Sequence, residues 1–403
     1  MSGNNVYLAG SFFTRSFTVG AFQLINASSG SFDLFVTKIT DSGSTSSFTW
    51  AKRAGGTGYD TAGPLVVEGS VLYLTGTFEG TTAAPAFFGT TPLISAGNTD
   101  GFVTKIVDTG TDGVFGWANR LGGADNEQVK AVAVAGNAVY VGGNFSSPTA
   151  NFGSTSLANA GAASGPASTD AFVTKLTDAG SAASFAWAQR AGGPGNDDLI
   201  ALAIQGAGLY LTGTFEGSSA SVGTTPLASA GSIDGFVAAL VDAGPTSRFA
   251  WAQAVGGPNY DYIGGLSLTG TTVYVGGGIY SGTSSFPPRV VSNPSSNFAA
   301  FLASFAAPVL TTTIPAALAG PAFTLAPNPA RTAATLTLPA LPGTATATLT
   351  LRDALGRTVR TETVALPLTG LRHELDLSGL PAGIYAVQVQ AGKATATRRL
   401  VVE

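Results

Sequence analysis

VKAVAVAGNAVYVGGNF (Val129–Phe145), DAFVTKL (Asp170–Leu176) and SFAWAQRAGG (Ser184–Gly193) are the stretches that decide the fold of this chain. Val129–Gly136 alternates side-chain character with the period of a strand. A Gly-Asn turn then leads into a second apolar run, which is a hairpin signal. Asp170–Leu176 and Ser184–Arg190 are two further short β-rich runs, bounded by Gly, Asp and Ser. Glycine and β-branched residues break every 3.6-residue pattern, so helices are not expected. The stretch predicts a unit of four antiparallel strands.

The unit recurs. Trp50, Trp117, Trp187 and Trp251 are 67, 70 and 64 residues apart. Tyr7, Tyr73, Tyr140, Tyr210 and Tyr274 keep the same step, as do Phe35, Phe102, Phe172, Phe236 and Phe301. Four antiparallel strands repeated radially make a β-propeller, one of the few ways an all-β chain protects its sheet edges. The first unit begins at Val6–Phe12 without a preceding alternating strand, and the fifth ends without an FxWA strand. The expectation is therefore an all-β chain with a β-propeller of about five four-stranded blades over residues 1–305, the first and last incomplete. The series GGxGxD, VYLTG, DGFVTK, FxWA resembles the bacterial repeat labelled SBBP.

Composition agrees. Only 10% of residues are charged, 54 are glycine, and 24 Phe recur at fixed places, which separates the chain from disordered sequences. With no cysteine and one histidine, disulfides, thiol chemistry and multi-histidine metal sites are excluded. No cofactor is implied. Residues 1–321 carry 11 basic and 18 acidic groups and residues 322–403 carry 8 and 5. Neither part has a basic stripe, so nucleic acid is not an expected partner. Pro308 and Pro315 interrupt the most apolar stretch, and no transmembrane segment is expected. MSGNNVYLAGSF lacks the features of a signal peptide. With the missing first strand, this predicts a reading frame that continues upstream.

Several repeating residues are candidates for a site. The pairs Phe48/Trp50, Phe115/Trp117, Phe185/Trp187 and Phe249/Trp251, two apart, are expected on one sheet face, packed between blades. Asp60, Glu127, Asp197 and Asp261 follow each Gly-Gly by four positions. They are weak metal candidates, because acids in glycine-rich turns more often accept backbone N–H groups. Asp33, Asp100, Asp170 and Asp234 are read as turn residues, and Lys38, Lys105 and Lys175 as solvent-facing. Glu68, Asp112, Asp125 and Asp198 are acids outside the repeat, the only candidates for a hydrolase or lyase site; no catalytic residue is assigned.

Residues 306–321 are rich in Pro and Ala and read as a linker. Beyond them the repeat stops, and seven short strands in residues 322–403 suggest an immunoglobulin-like sandwich. Pro327-Asn328-Pro329, the Asp353…Gly356-Arg357…Val359 turn and the Leu375–Tyr385 run with Leu380, Pro381, Gly383 and Tyr385 stand in order. The basic–apolar end, Arg398–Val402, completes the series. This region resembles the type A C-terminal sorting domain of the type IX secretion system. The resemblance implies a folded export signal recognised by the outer-membrane translocon, and a cargo that is secreted or displayed on the cell surface. The chain is therefore expected to be an interaction module for a glycan or other surface polymer. The alternatives are a secreted polysaccharide hydrolase or lyase, and a structural surface protein. His373 reads as an ordinary strand residue.

Overall fold

The structure, a computed structural model, describes residues 3–162, 168–270, 272–287, 289–294, 297–306, 310, 323–338, 346–353, 357–367, 370–391 and 394–403. The chain forms two compact units, Met1–Leu310 and Thr311–Glu403. Every described regular element is a strand. The linker expected at 306–321 falls mostly outside the described residues.

The first unit contains five successive antiparallel sheets. The fourth shows the plan: Asp198–Gln205, Gly208–Glu216, Ile233–Asp242 and Ser247–Val255 pair in chain order. The second (Thr61–Glu68, Val71–Phe78, Asp100–Asp108, Gly113–Gly123) and third (Glu127–Ala135, Ala138–Phe145, Asp170–Asp178, Ala183–Gly192) repeat it. The first sheet has three strands, Asn5–Phe12, Asp33–Asp41 and Ser46–Ala54. The fifth also has three, Asp261–Thr269, Thr272–Ile279 and Ala299–Ala306.

The larger hydrophobic clusters of the repeat region lie between consecutive sheets. Leu34, Val36 and Trp50 of the first sheet pack on Leu72, Leu74, Phe102 and Ile106 of the second. Val103, Trp117 and Leu121 then meet Val139, Val141 and Phe172, and the plan repeats along the chain. A central strand covered on both faces has no wet side, and Ala138–Phe145 is buried along its whole length. The first strands of the second to fifth sheets lie against one another in succession, more extensively than the fourth strands do. No sheet closes on itself among the described residues, and no extensive contact joins the fifth sheet to the first.

The variable segment between the second and third strands of each unit is itself a hairpin, which the sequence reading leaves unassigned. Thr149–Phe152 and Thr155–Ala158 of the third unit reach back to pair with Gly122 and Gly123 of the second. Ala220–Val222 and Thr225–Leu227 pair likewise with Ala191 and Gly192. The hairpin turn needs glycine: Gly153 has φ +64°, and a β-carbon there would lie 3.0 Å from Phe185 Cβ.

The Phe/Trp pairs do not share a face. Trp50 stands opposite Lys38 and Phe48 opposite Ile39, so Thr49 is an extra residue, a β-bulge. The same shift separates Trp187 from Phe185 and Trp251 from Phe249. The expectation of one face fails because a bulge resets the two-residue alternation. Each Trp faces the following unit, and Phe115, Phe185 and Phe249 face the preceding one.

In the C-terminal unit (Thr311–Glu403), Thr324–Ala326, Ala333–Leu338 and Leu371–Asp376 form one sheet. Thr358–Ala365, Thr346–Arg352, Gly383–Ala391 and Ala394–Val402 form another, in that order. Leu336, Leu338 and Leu375 from one sheet and Leu349, Val387, Val389 and Leu400 from the other make a single core.

Candidate functional site

At each junction between units the Gly-Gly pair brings two carboxyl groups together. Asp33 of the first unit and Asp60 at the start of the second are both fully buried. A β-carbon on Gly55 would lie 2.7 Å from Asp33 Oδ1 and 2.7 Å from Asp60 Oδ2, so the chain needs glycine there. Asp100/Glu127 and Asp170/Asp197 repeat the pairing across Gly122 and Gly192, while Gly256 abuts Asp234, which feels the charge of Asp261; all are buried. Asp60 Oδ2 accepts the Gly56 N–H at 2.6 Å, Glu127 Oε2 that of Gly123 at 2.7 Å, and Asp197 Oδ2 that of Gly193 at 2.6 Å. Asp261 accepts from Tyr280 N at 2.9 Å and Ser281 Oγ at 2.7 Å.

The other member of each pair meets an arginine. Arg53 bonds Asp33 at 2.5 Å, Arg120 bonds Asp100 at 3.0 Å and Arg190 bonds Asp170 at 2.9 Å. In the fourth junction the arginine position is Ala254. Asp33, Asp100, Asp170 and Asp234 are thus buried junction groups, beyond simple turn residues. Burial pushes Asp60, Glu127 and Asp197 up to about 7, with the neighbouring carboxylates adding to the rise and backbone N–H bonds opposing it. Burial also raises Asp100, Asp170 and Asp234. Asp100 and Asp170 each share a hydrogen bond with the facing carboxyl. Two carboxyls this close hold one proton between them. Asp100 Oδ1 and Asp170 Oδ1 are buried oxygens with no other hydrogen-bond partner, and a proton on the pair would satisfy them. Among the described residues no group of three or more His, Cys, Asp or Glu side chains is placed to hold a metal ion.

A second repeating cluster corrects the reading of the lysines. Lys38, Lys105 and Lys175 are buried, because both faces of their strands are covered. Each reaches an aspartate of the next unit: Lys38–Asp108 2.7 Å, Lys105–Asp178 2.7 Å, Lys175–Asp242 2.6 Å. The same aspartates accept Tyr7, Tyr73 and Tyr140 hydroxyls at 2.6–2.7 Å and Trp50, Trp117 and Trp187 indole N–H groups at 3.0–3.1 Å. Burial alone would raise Asp108, but Lys38, Tyr7 and Trp50 outweigh it and hold the carboxyl at about 2. Asp178 and Asp242 are lowered in the same way. The Trp–Tyr–Lys–Asp set fastens sheet to sheet.

The acids outside the repeat do not converge. Asp198 pairs with Lys130, Asp112 with Lys52 at 2.7 Å, Glu68 accepts the Gly136 N–H at 3.3 Å, and Asp125 lies in a turn held by Ser147.

Exposed aromatic rings gather in the fifth unit and at the first junction. In the fifth unit Tyr260, Tyr262, Tyr280 and Phe298 form a ring-to-ring cluster with centroid separations of 5.4–6.3 Å. Tyr260, Tyr280 and Phe298 are exposed. The equivalent places in the middle units hold Asn126 and Asn196, Glu79, Ser146 and Glu216, and Thr99, Thr169 and Ile233, whereas the first junction has Tyr59, Phe13 and Phe32 there, with ring centroids 5.1 and 6.1 Å apart. Asn259 lies beside the cluster, its side-chain amide donating to Tyr280 O at 3.4 Å.

In the C-terminal unit, Thr311–Glu403, the motif residues cluster structurally. Asn328 bridges the opening turn to the last strand, donating to Arg399 O at 2.8 Å and accepting from Val401 N at 2.9 Å. The Ala326-Pro327 and Asn328-Pro329 bonds are cis. Arg357 pairs with Asp353 at 2.7 Å, and Tyr385 Oη donates to Pro381 O at 2.8 Å. Asp353, Arg357, Val359, Leu380, Pro381, Gly383, Ile384 and Tyr385 line one cleft, with Val359 and Ile384 exposed. Gly356 lies outside the described residues. His373 Nε2 is 3.0 Å from Glu362 Oε1 on a partly buried strand.

A family model described as the secretion system C-terminal sorting domain matches residues 324–403. That domain marks proteins exported by type IX secretion to the cell surface or the extracellular space, and it implies recognition by the type IX machinery. Among the described residues no helix is long and apolar enough to cross a membrane. No curated protein matches the chain. Among solved structures the chain is similar to dimeric latent PorU from Porphyromonas gingivalis, at 10% identity and TM-score 0.19, over 92% of this chain and 31% of that one. It is also similar to Drosophila Semaphorin 2a, at 7% identity and TM-score 0.31, over 93% of this chain and 74% of that one. The chain thus spans less than a third of the PorU chain, and at these TM-scores neither likeness decides the fold.

Proposed function

We propose that residues 1–305 are an SBBP-type β-propeller module of about five blades that binds a glycan or other surface polymer outside the cell. Residues 322–403 are then a type A, immunoglobulin-like sorting domain that takes the module there. The observation that carries the binding role is the cluster Tyr260, Tyr262, Tyr280 and Phe298. Solvent-facing rings are a costly choice at positions where the middle repeats carry Asn, Ser, Thr, Glu or Ile, and Phe13, Phe32 and Tyr59 repeat the choice at the first junction. Aromatic faces beside an amide suit the apolar face and hydroxyl rim of a sugar ring. A hydrolase reading has less support, because the acids outside the repeat are dispersed and engaged one by one. For export, the cleft around Arg357, Leu380, Pro381, Gly383 and Tyr385 is the surface offered to the translocon.

The test is binding of the full chain to a panel of insoluble and soluble polysaccharides, with hydrolysis measured on the same polymers. A Tyr260→Ala/Tyr280→Ala variant is expected to lose binding roughly tenfold or more while melting like the parent. Binding that survives the double substitution, or release of reducing ends, would end this reading.

A further inference from the structure

We propose that a neutral linear polysaccharide lies along one continuous row of side chains, which crosses the repeat units and is aromatic at both ends. This deepens the glycan-binding reading above and rests on it. The row follows from strand direction. In the second unit Phe78 pairs with Asp100, and Thr77 with both Gly101 and Thr61. Glu79 after the second strand, Thr99 before the third and Tyr59 before the opening acid therefore share one end of the sheet. Tyr59 N donates to Glu79 Oε2 at 3.2 Å, and Thr99 Oγ1 to Glu79 Oε1 at 3.3 Å. In the next units Asn126 N donates to Ser146 Oγ at 3.1 Å and Asn196 Nδ2 to Glu216 Oε2 at 2.8 Å. Each junction carries the row onward. Asp60 N donates to Phe32 O at 2.8 Å, Glu127 N to Thr99 O at 2.9 Å and Asp197 N to Thr169 O at 2.7 Å. At the fourth junction Ile233 and Tyr260 form a β-bridge.

Two aromatic platforms bracket a polar middle. Tyr59, 48% exposed, packs on Phe32 at 6.1 Å, and Tyr260, 42% exposed, packs on Tyr280 at 5.9 Å. Both tyrosines have a repeat unit on either side, and their counterparts Asn126 and Asn196 are exposed as well. Their exposure is thus a property of this end of the sheets, whichever units flank them. A folded partner would favour one contiguous apolar core. Rings separated by amides, hydroxyls and carboxylates suit a ligand that offers apolar ring faces and hydroxyl groups again and again along its length. The row positions include Glu79 and Glu216 and no lysine or arginine, and residues 1–321 carry 18 acidic groups against 11 basic ones. A polyanion would be repelled, so the sugar chain is neutral.

The test titrates the full chain with soluble neutral glucans and mannans, from disaccharide to polymer, beside polygalacturonate of matching length. A polymer that meets both platforms makes its second contact intramolecularly, so affinity is expected to rise on the order of a hundredfold from short to long chains. Tyr59→Asn installs the side chain that two middle units carry at that position, and it is expected to melt like the parent and to lose most of the rise. Tyr59→Phe, which keeps the ring, is expected to retain it. A rise that survives Tyr59→Asn would overturn the row and leave the fifth-unit cluster standing as a glycan site. Affinity that stops growing at short chains, or equal binding of polygalacturonate, would do the same. Absence of binding to every polymer would remove that cluster's reading and the row together.

Discussion

The proton held between paired carboxyls is the residue-level feature with the clearest consequence. Asp60, Glu127 and Asp197 titrate near 7 when folded, against about 4 in an unfolded chain. The folded state therefore binds more protons between those values, and stability falls as pH rises from about 4 to about 7. Below that window the pairs are protonated and the contribution is intact; above it the full cost is present, a few kcal/mol for each pair at ~1.4 kcal/mol per unit. The lowered aspartates act in the opposite direction: their contribution is present above about 4 and is lost as pH falls towards about 2. Melting temperature is expected to decline between pH 5 and pH 8. Asp197→Asn, which keeps a hydrogen bond to Asp170 without a charge, should flatten that decline. A parent whose melting temperature climbs over the same interval would remove the shared proton from the account. The acids and their Gly-Gly spacing are legible in the sequence. Their partners are not, since Asp170 and Asp197 meet only when two units stack.

At the scale of the element, the hairpin between second and third strands is the connector that the sequence reading passes over. Its strands are three or four residues long, too short for alternation to register. The glycine at its turn, as at Gly153, was the available signal, because it recurs at one place in the repeat. Gly153→Val puts a branched side chain at φ +64° and against Phe185. The expected loss is on the order of 2–4 kcal/mol, read as a lower denaturation midpoint. An unchanged midpoint would mean that the hairpin is not part of the cooperative fold. The bulge before each tryptophan belongs to this scale too. Spacing of two places Phe185 and Trp187 on one face, and one inserted residue, Ala186, turns them to opposite sides. Nothing in Ala, Gly or Thr at that position announces a bulge.

For the whole molecule, the sorting domain fixes the destination while the repeat region carries the cargo role. Removing residues 322–403 is expected to leave the remaining chain folded and retained within the cell envelope, as fractionation of producing cells would reveal. Export of the shortened chain at parental levels would show that the tail is not the signal in use. Strand periodicity, the 64–70-residue repeat, the break near residue 306 and the tail motifs were all determined by the sequence alone. They are local, or repeat locally, and each copy restates the same constraint. Tertiary structure alone decided which faces are dry, and therefore that Lys105 is buried against Asp178 and that Phe and Trp point opposite ways. Burial in a stacked-sheet protein depends on the neighbouring sheet, and a strand carries no record of whether that neighbour is present.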